Sequence, residues 1–123
     1  MRPAIAARLL STQQYNEIAD EALEAITESY ENLIEQKPEI DVDLGQGVLT
    51  VVTPPIGTYV INKQPPNKQI WLSSPISGPK RYDYHEAEGR WVYDRDHSSL
   101  GGLLRQETRD SYQLELPLDL DQD

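Results

Sequence analysis

Seven carboxylate side chains lie between residues 17 and 35, and no lysine or arginine occurs between Arg8 and Lys37 to balance them. They are Glu17, Asp20, Glu21, Glu24, Glu28, Glu31 and Glu35. Four pairs of them stand four residues apart and three pairs stand three apart, so on a helix these like charges repel each other. At about 0.2–0.5 kcal/mol for each pair, the repulsion costs roughly 1.5–3.5 kcal/mol. A cost of this size indicates a positively charged partner, either a protein or a metal ion.

The acidic pattern continues beyond this helix in an alternating series that predicts a strand, Glu39, Asp41 and Asp43. Carboxylate oxygens clustered in this way suit hard cations such as Ca²⁺, Mg²⁺, Mn²⁺ or Fe²⁺. Exposed carboxylates do not form a buried cage, so we expect weak binding of a hydrated ion. The alternative is a solubilising helix face that binds nothing.

Composition restricts the classes of function. A chain of 123 residues is long enough for one domain with a modest two-layer core. The formal net charge of -10 argues against nucleic acid and anionic membranes as partners, and favours basic proteins and cations. The absence of cysteine excludes disulfides, thiolate metal sites and cysteine nucleophiles, so any sulfur chemistry must use the thiols of another protein. No apolar run approaches the roughly 20 residues of a membrane-spanning helix, and no membrane insertion is expected.

Motifs of known catalytic classes are missing from the sequence. It contains neither a nucleophile motif nor a glycine-rich phosphate loop that opens a helix. The two histidines, His85 and His97, fall in predicted turns and are not spaced to meet on one helix or strand face. We interpret both as polar loop residues rather than as ligands.

The spacing of apolar residues predicts a helix, then a sheet, then a second helix. The first helix begins near Ser11 or Thr12, which can cap it, and ends before Pro38. Short alternating segments bounded by proline or glycine predict six strands, at 40–44, 48–52, 57–63, 68–73, 80–84 and 90–93. This order predicts an α+β fold, a two-layer sandwich with both helices on one face of a six-stranded antiparallel sheet.

The second helix runs from residue 100 towards residue 112 and is capped by Ser98 or Ser99. Gly101 and Gly102 weaken it, because each costs about 1 kcal/mol relative to alanine. Beyond it, four leucines alternate with acidic or proline residues and are expected to lie along a groove between the helices. They are Leu114, Leu116, Leu118 and Leu120.

The domain boundaries are expected near residues 12 and 117. Residues 1–12 contain two arginines and no acidic residue, a composition typical of the end of a mitochondrial transit peptide. The alternative is a helical leader. Residues 13–116 would form the folded domain and residues 117–123 an acidic C-terminal tail.

The alternation along the central strands assigns one tryptophan to each face of the sheet. If Ile70 and Leu72 point inward, Trp71 points outward, away from the helices. Its outward neighbours are then Asn62, Gln69 and Arg81. An exposed tryptophan beside an arginine is typical of the centre of a protein interface. Trp91 is the better core candidate; the alternative is that the fourth strand is shifted by one residue and Trp71 is buried.

The residues of the central strands resemble a known family. Residues 57–81, GTYVINKQPPNKQIWLSSPISGPKR, resemble the signature of the mitochondrial frataxins of fungi and animals, and GVLTV and WVY, at 47–51 and 91–93, fall where that family places them. The likeness covers about residues 12–112. It implies the same sandwich, the mitochondrial matrix, Fe²⁺ binding, and a role in iron–sulfur cluster biosynthesis with a cysteine desulfurase and its scaffold protein.

The resemblance also implies roles for individual residues. The family's acidic ridge corresponds to Asp20, Glu21, Glu24, Glu28, Glu31, Glu35, Glu39, Asp41 and Asp43. Its contact residues on the sheet surface correspond to Asn62, Gln64, Gln69, Trp71 and Arg81. One departure is the pair Gly101 and Gly102, where the family has better helix formers.

Two hypotheses of different classes follow. In the first, the chain is an accessory protein, an allosteric activator or Fe²⁺ donor, whose acidic residues dock on the desulfurase and whose sheet face with Trp71 contacts the scaffold. In the second, it is a ferroxidase or iron-storage protein of iron homeostasis that oxidises Fe²⁺ to Fe³⁺ on the same carboxylates, alone or as a homo-oligomer. Efficient oxidation usually requires a buried pair of irons with Glu and His ligands, and the Glu-x-x-His pattern is absent. The first hypothesis is therefore favoured, and enzyme activity stays open.

Overall fold

A computed structural model of the chain describes residues 10–120. The elements in order are α1 (Thr12–Leu33), β1 (Asp41–Gly45), β2 (Val48–Thr53), β3 (Gly57–Gln64), β4 (Gln69–Ser74), β5 (Gly78–His85), β6 (Arg90–Tyr93), β7 (Ser98–Ser99) and α2 (Leu100–Tyr112). The predicted fold class is confirmed, because both helices pack on one face of an antiparallel sheet. Residues 1–9 of the predicted leader and the last three residues of the predicted tail lie outside the described residues. No helix in the described part of the chain is long and apolar enough to cross a membrane.

Helix α1 begins at a reciprocal cap. The Gln14 backbone N–H donates to Ser11 Oγ, and the Ser11 backbone N–H donates to Gln14 Oε1, both at 3.0 Å. These two bonds satisfy backbone donors that the start of a helix otherwise leaves without partners. The helix then buries one stripe of mostly apolar side chains, which are Tyr15, Ala19, Ala22, Leu23, Ile26, Ser29, Tyr30 and Leu33. Its carboxylates are left on the solvent side.

The sheet is a meander in which each strand pairs with the next along the chain. Its register places Ile61 opposite Leu72 on the helix side, and both side chains are nearly inaccessible to solvent. Trp71 pairs with Asn62 and with Arg81 on the opposite face. The predicted alternation is confirmed, and the alternative with Trp71 in the core is excluded.

The predicted number of strands is wrong by one. Ser98 and Ser99 form β7, which pairs with β6 through Tyr93 and Val92. Two residues are too few for an alternating pattern to show, and the same serines carry the signature of a helix cap. Ser99 has both roles, because its Oγ also accepts the Gly102 backbone N–H at 3.0 Å.

The C-terminal segment lies between the two helices, which confirms the expected groove. Leu116 and Leu118 belong to the hydrophobic core. Ser29 Oγ of α1 donates to the Pro117 carbonyl at 2.8 Å, and Arg105 Nη1 of α2 donates to the Leu118 carbonyl at 2.8 Å. The backbone of this segment is therefore held by hydrogen bonds from both helices as well as by burial of its leucines.

The glycine pair at the start of α2 has different surroundings at its two positions. A Cβ on Gly101 would lie 3.5 Å from Leu120 Cβ and 3.2 Å from Arg105 Nη1, the nitrogen that donates to the Leu118 carbonyl. A Cβ on Gly102 would lie 2.9 Å from Ser99 Oγ, the atom that caps the helix. Only at Gly102, then, does an added methyl group disturb the cap.

We expect Gly101→Ala to stabilise the protein and Gly102→Ala not to. Alanine at either position gains up to about 1 kcal/mol of helix propensity, but at position 102 the displaced Ser99 cap loses about as much. Urea denaturation of the two variants measures the difference. Equal stabilisation by both substitutions would show that the contact between a methyl group and Ser99 Oγ is harmless.

Candidate functional site

The predicted acidic residues lie on the solvent side of α1, in the turn after it and on the neighbouring edge strand β1. All ten are exposed: Glu17, Asp20, Glu21, Glu24, Glu28, Glu31, Glu35, Glu39, Asp41 and Asp43. The first seven follow α1 and its C-terminal turn, and the last two belong to the outermost strand, β1, against which α1 packs. We call these ten residues the acidic ridge.

The acidic ridge does not form a ready-made metal cage. Among residues 10–120, no group of three or more His, Asp or Glu side chains converges in a way that could hold a metal ion. Any cation on this surface would keep most of its water ligands, as exposed carboxylates allow for hard ions. The ten residues as metal ligands stay a prediction.

One carboxylate of the ridge has a partner that the sequence analysis missed. Lys63 Nζ lies 2.8 Å from Asp20 Oδ1 and 3.3 Å from Asn16 Oδ1. Lys63 comes from β3, and strand alternation places it on the helix side with Tyr59 and Ile61. Applying the alternation beyond the apolar residues would have found this cation. The charge of Asp20 is therefore compensated locally, although no basic residue is close to it in the sequence.

The five predicted contact residues lie together on the sheet face that the helices leave uncovered. Asn62 is paired with Trp71, Gln64 with Gln69, and Trp71 with Arg81. The Arg81 guanidinium lies 4.6 Å from the centre of the Trp71 ring, and the indole N–H donates to Gln69 Oε1 at 2.8 Å. A shallow concavity of about 270 Å³ surrounds Trp71. We call these five residues the sheet contact face.

Tyr15 of α1 links the helix to the sheet contact face. Its hydroxyl donates to the Gln69 carbonyl at 2.7 Å and accepts the Gln64 backbone N–H at 3.0 Å. Burial raises the pKa of Tyr15 to about 12, so this hydroxyl keeps its proton and both bonds. The end of β3 and the start of β4 are thereby fixed at the two glutamines.

His85 is not the polar loop residue that we expected. Strand β5 extends to include it, and its side chain is buried, with 2% of the residue exposed. Its Nε2 lies 3.0 Å from Asp94 Oδ1 and its Nδ1 lies 3.4 Å from Glu88 Oε2. His97, an exposed residue, is 3.2 Å from the other oxygen of Glu88, and the two imidazole rings are 5.9 Å apart. The structure therefore brings together two histidines whose sequence spacing predicts no contact.

The carboxyl of Asp83 lies between this cluster and the sheet contact face. It is on β5, and Asp83 Oδ1 accepts Gln69 Nε2 at 3.2 Å. Burial raises the pKa of Asp83, and the neighbouring Asp94 carboxyl raises it further, while Gln69 and His85 act in the opposite direction. Replacing this carboxyl with a neutral amide removes the repulsion without removing the acceptor.

We expect the ridge carboxylates other than Asp20, which pairs with Lys63, to repel one another measurably. The double substitution Glu24→Gln and Glu28→Gln removes four like-charge pairs and should stabilise the protein by about 1–2 kcal/mol at low salt. Asp20→Asn removes repulsion and the ion pair with Lys63 together, so its effect should be near zero. Thermal denaturation measures both. Destabilisation by the double substitution would mean that these carboxylates have structural partners.

The sequence matches the frataxin-like domain family over residues 8–114. It is 47% identical over 113 residues to mitochondrial frataxin of Caenorhabditis elegans, a match that covers 89% of this chain and 82% of that protein. It is 48% identical over 100 residues to the mitochondrial frataxin homolog of Saccharomyces cerevisiae, covering 80% of this chain and little more than half, 56%, of that protein. A crystal structure of trimeric yeast frataxin complexed with ferrous iron has a TM-score of 0.70 at 45% identity, covering 79% of this chain and 87% of that one. By its sequence and its fold, this chain belongs to the frataxin family.

Proposed function

We propose that this chain is an iron-binding accessory protein of mitochondrial iron–sulfur cluster assembly, which docks on a cysteine desulfurase and its scaffold protein. The observation that carries the proposal is Trp71, a large aromatic side chain held on an uncovered sheet face by Arg81 and Gln69. Such residues dominate the binding energy of protein interfaces. Relatives named mitochondrial frataxin support the compartment.

The acidic ridge supplies the second half of the proposed interaction. Its exposed carboxylates and the net charge of -10 suit a basic partner surface, which we assign to the desulfurase. The sheet contact face then meets the scaffold protein. With no cysteine in the sequence, the chain would assist sulfur transfer between thiols of its partners and take no covalent part in it.

Iron enters the proposal as cargo. A related yeast frataxin has been crystallised with ferrous iron, and the ridge presents oxygen ligands of the type that Fe²⁺ accepts. Because no three or more His, Asp or Glu side chains converge to hold a metal ion in residues 10–120, we propose weak binding of hydrated Fe²⁺. Weak binding suits delivery, since the ion must leave for the scaffold.

A ferroxidase or iron-storage function is the second candidate, and the trimeric yeast structures favour it. In that case Fe²⁺ would be oxidised on the ridge of an oligomer. Oxygen consumption by the isolated chain after addition of Fe²⁺ tests this candidate. Stimulation of cluster synthesis in a reconstituted mixture of desulfurase and scaffold tests the first.

Docking through the acidic ridge should depend steeply on salt. Exposed charges are screened over about 8–10 Å at physiological ionic strength, so affinity for the desulfurase should fall as salt is raised from about 10 mM to about 150 mM. The double substitution at Glu24 and Glu28 should flatten this dependence. An affinity that salt does not change would exclude the ridge as the docking surface.

Trp71→Ala should separate function from stability. The side chain lies outside the core, so the substitution should cost about 1 kcal/mol of stability yet abolish most of the stimulation of cluster synthesis. Ser73→Ala, on the same face of β4, is the matched control and should retain activity. Full stimulation by the folded Trp71→Ala protein would contradict the proposed contact.

Trp91→Ala provides the opposite case. Trp91 is 2% exposed and its ring packs on Tyr84 with 5.2 Å between centroids. Truncation of a buried tryptophan costs about 3–5 kcal/mol, so this variant should be largely unfolded at 37 °C. The loss of its circular dichroism signal at lower temperature than in Trp71→Ala is the measurement.

A further inference from the structure

We propose that Asp83, Asp94 and His85 are positioning residues for Trp71, and that they act on it through the side chain of Gln69. The inference rests on the proposed function only in taking Trp71 as the partner contact. A series of side-chain contacts, here called the contact chain, connects the half-buried indole to the buried histidine. Hydrogen bonds join Trp71 to Gln69 and Gln69 to Asp83, and His85 is within hydrogen-bond distance of Asp94, whose carboxyl neighbours that of Asp83. None of these three residues is among the expected contact residues.

The first two links fix the orientation of Gln69. The Trp71 indole N–H donates to Gln69 Oε1 at 2.8 Å, and Gln69 Nε2 donates to Asp83 Oδ1 at 3.2 Å. A glutamine amide has one accepting end and one donating end. An ionised Asp83 carboxylate has no proton to donate, so it binds the N–H end of the Gln69 amide. The oxygen of Gln69 is thereby held towards the indole. If the amide turned by half a rotation, an N–H would face the indole N–H and the contact would be lost.

The next links hold Asp83 itself. It lies on β5, half-buried, with the Asp94 carboxyl beside it. Asp94 in turn accepts from His85, whose Nε2 is 3.0 Å away. Without His85, Asp94 would have no hydrogen-bond donor on β5 and would be repelled by the Asp83 carboxyl. Because Asp94 is an exposed loop residue, it would then move away. His85 thus keeps both acids in place.

His85, at the far end of the contact chain, has a second partner that is itself held by other residues. The second nitrogen of His85 faces Glu88 at 3.4 Å, and Glu88 also binds Arg90 at 3.0 Å and His97 at 3.2 Å. Val92, the neighbour of Asp83 across the β5–β6 pair, is fully buried although it lies on the outer face. At this end the sheet face is therefore covered. The contacts of His85 therefore hold the covered end of the contact chain in place, and Trp71 lies at its other end, on the sheet contact face.

The contact chain orders the Trp71 side chain before a partner binds. Arg81 covers one face of the indole at 4.6 Å, and Gln69 holds its only polar atom. A side chain that is already ordered loses less conformational freedom on binding, which improves affinity. Loss of these contacts should therefore weaken partner binding by about two- to twelvefold, which corresponds to the free-energy cost of ordering one side chain on binding.

The experiment follows the two indole N–H signals in ¹H–¹⁵N spectra of the full chain. Trp91, in the core, serves as the internal control. Asp83→Ala should shift or broaden the Trp71 signal and leave the Trp91 signal unchanged. Asp83→Asn keeps an oxygen acceptor for Gln69 Nε2 and should leave both signals in place. A response of Trp71 to both substitutions, of both indoles to Asp83→Ala, or of neither indole would overturn the inference.

His85→Ala tests the far end of the chain, with Glu86→Gln as the matched control, since Glu86 is an exposed carboxylate in the adjacent turn. The Trp71 signal should change in the first variant and not in the second. If His85→Ala does not fold, Asp94→Ala breaks the same link from the loop side and must give the same change. An unchanged Trp71 signal in the folded variant removes His85 and Asp94 from the proposal.

Affinity for the reconstituted complex of desulfurase and scaffold completes the test. Asp83→Ala should bind about two- to twelvefold more weakly than Asp83→Asn. If the wild-type protein fails to bind the complex, while the Trp71 signal responds to the Asp83 substitutions as expected, the proposed function is overturned and the contact chain stands. Equal binding by the two Asp83 variants, with a changed Trp71 signal, overturns the link between indole order and affinity.

Discussion

The packing of one face of α1 against the sheet is the constraint on which both candidate surfaces, the acidic ridge and the sheet contact face, depend. Tyr15, Leu23 and Ile26 on that face are at most 1% exposed, so the rotation of the helix about its axis is fixed. The carboxylates on its other face must then project into solvent as the acidic ridge. The buried face also carries the Tyr15 hydroxyl, whose two bonds to Gln64 and Gln69 fix the strands of the sheet contact face. One helix thus sets the geometry of two surfaces.

The free energies involved explain why the ridge can be so acidic. Its like charges cost roughly 1.5–3.5 kcal/mol, whereas full burial of one leucine or isoleucine gives about 1.5–3 kcal/mol. Helix α1 buries eight residues, so one or two of them offset the whole repulsion. The ion pair between Asp20 and Lys63 reduces it further. The fold therefore tolerates the like charges of the ridge without being stabilised by them.

Local patterns in the sequence were enough to predict α1, the first six strands and the outward position of Trp71, because amphipathic spacing reports directly on one buried face. The features that were missed depend on contacts between elements, which the periodicity within a single segment does not show. Strand β7 is defined by its pairing with β6, and buried His85 is contacted by Glu88 and Asp94 from two loops. The glycine pair in α2 was unfavourable by propensity, and only the positions of Ser99 and Leu120 explain its surroundings. Likewise, Lys63 reaches Asp20 across the layer between sheet and helix.

The two surfaces differ in a way that suits successive stages of association. The ridge consists of exposed carboxylates, most of them on long glutamate side chains, which attract a basic partner over several ångströms but define no geometry. The sheet contact face has the opposite character, since its indole is held by Arg81 on one side and by Gln69 at its polar atom. Fixed aromatic groups contribute little at long range and much once surfaces meet. Attraction by the ridge can therefore bring a partner close in many orientations, and only those in which it fits Trp71 would persist.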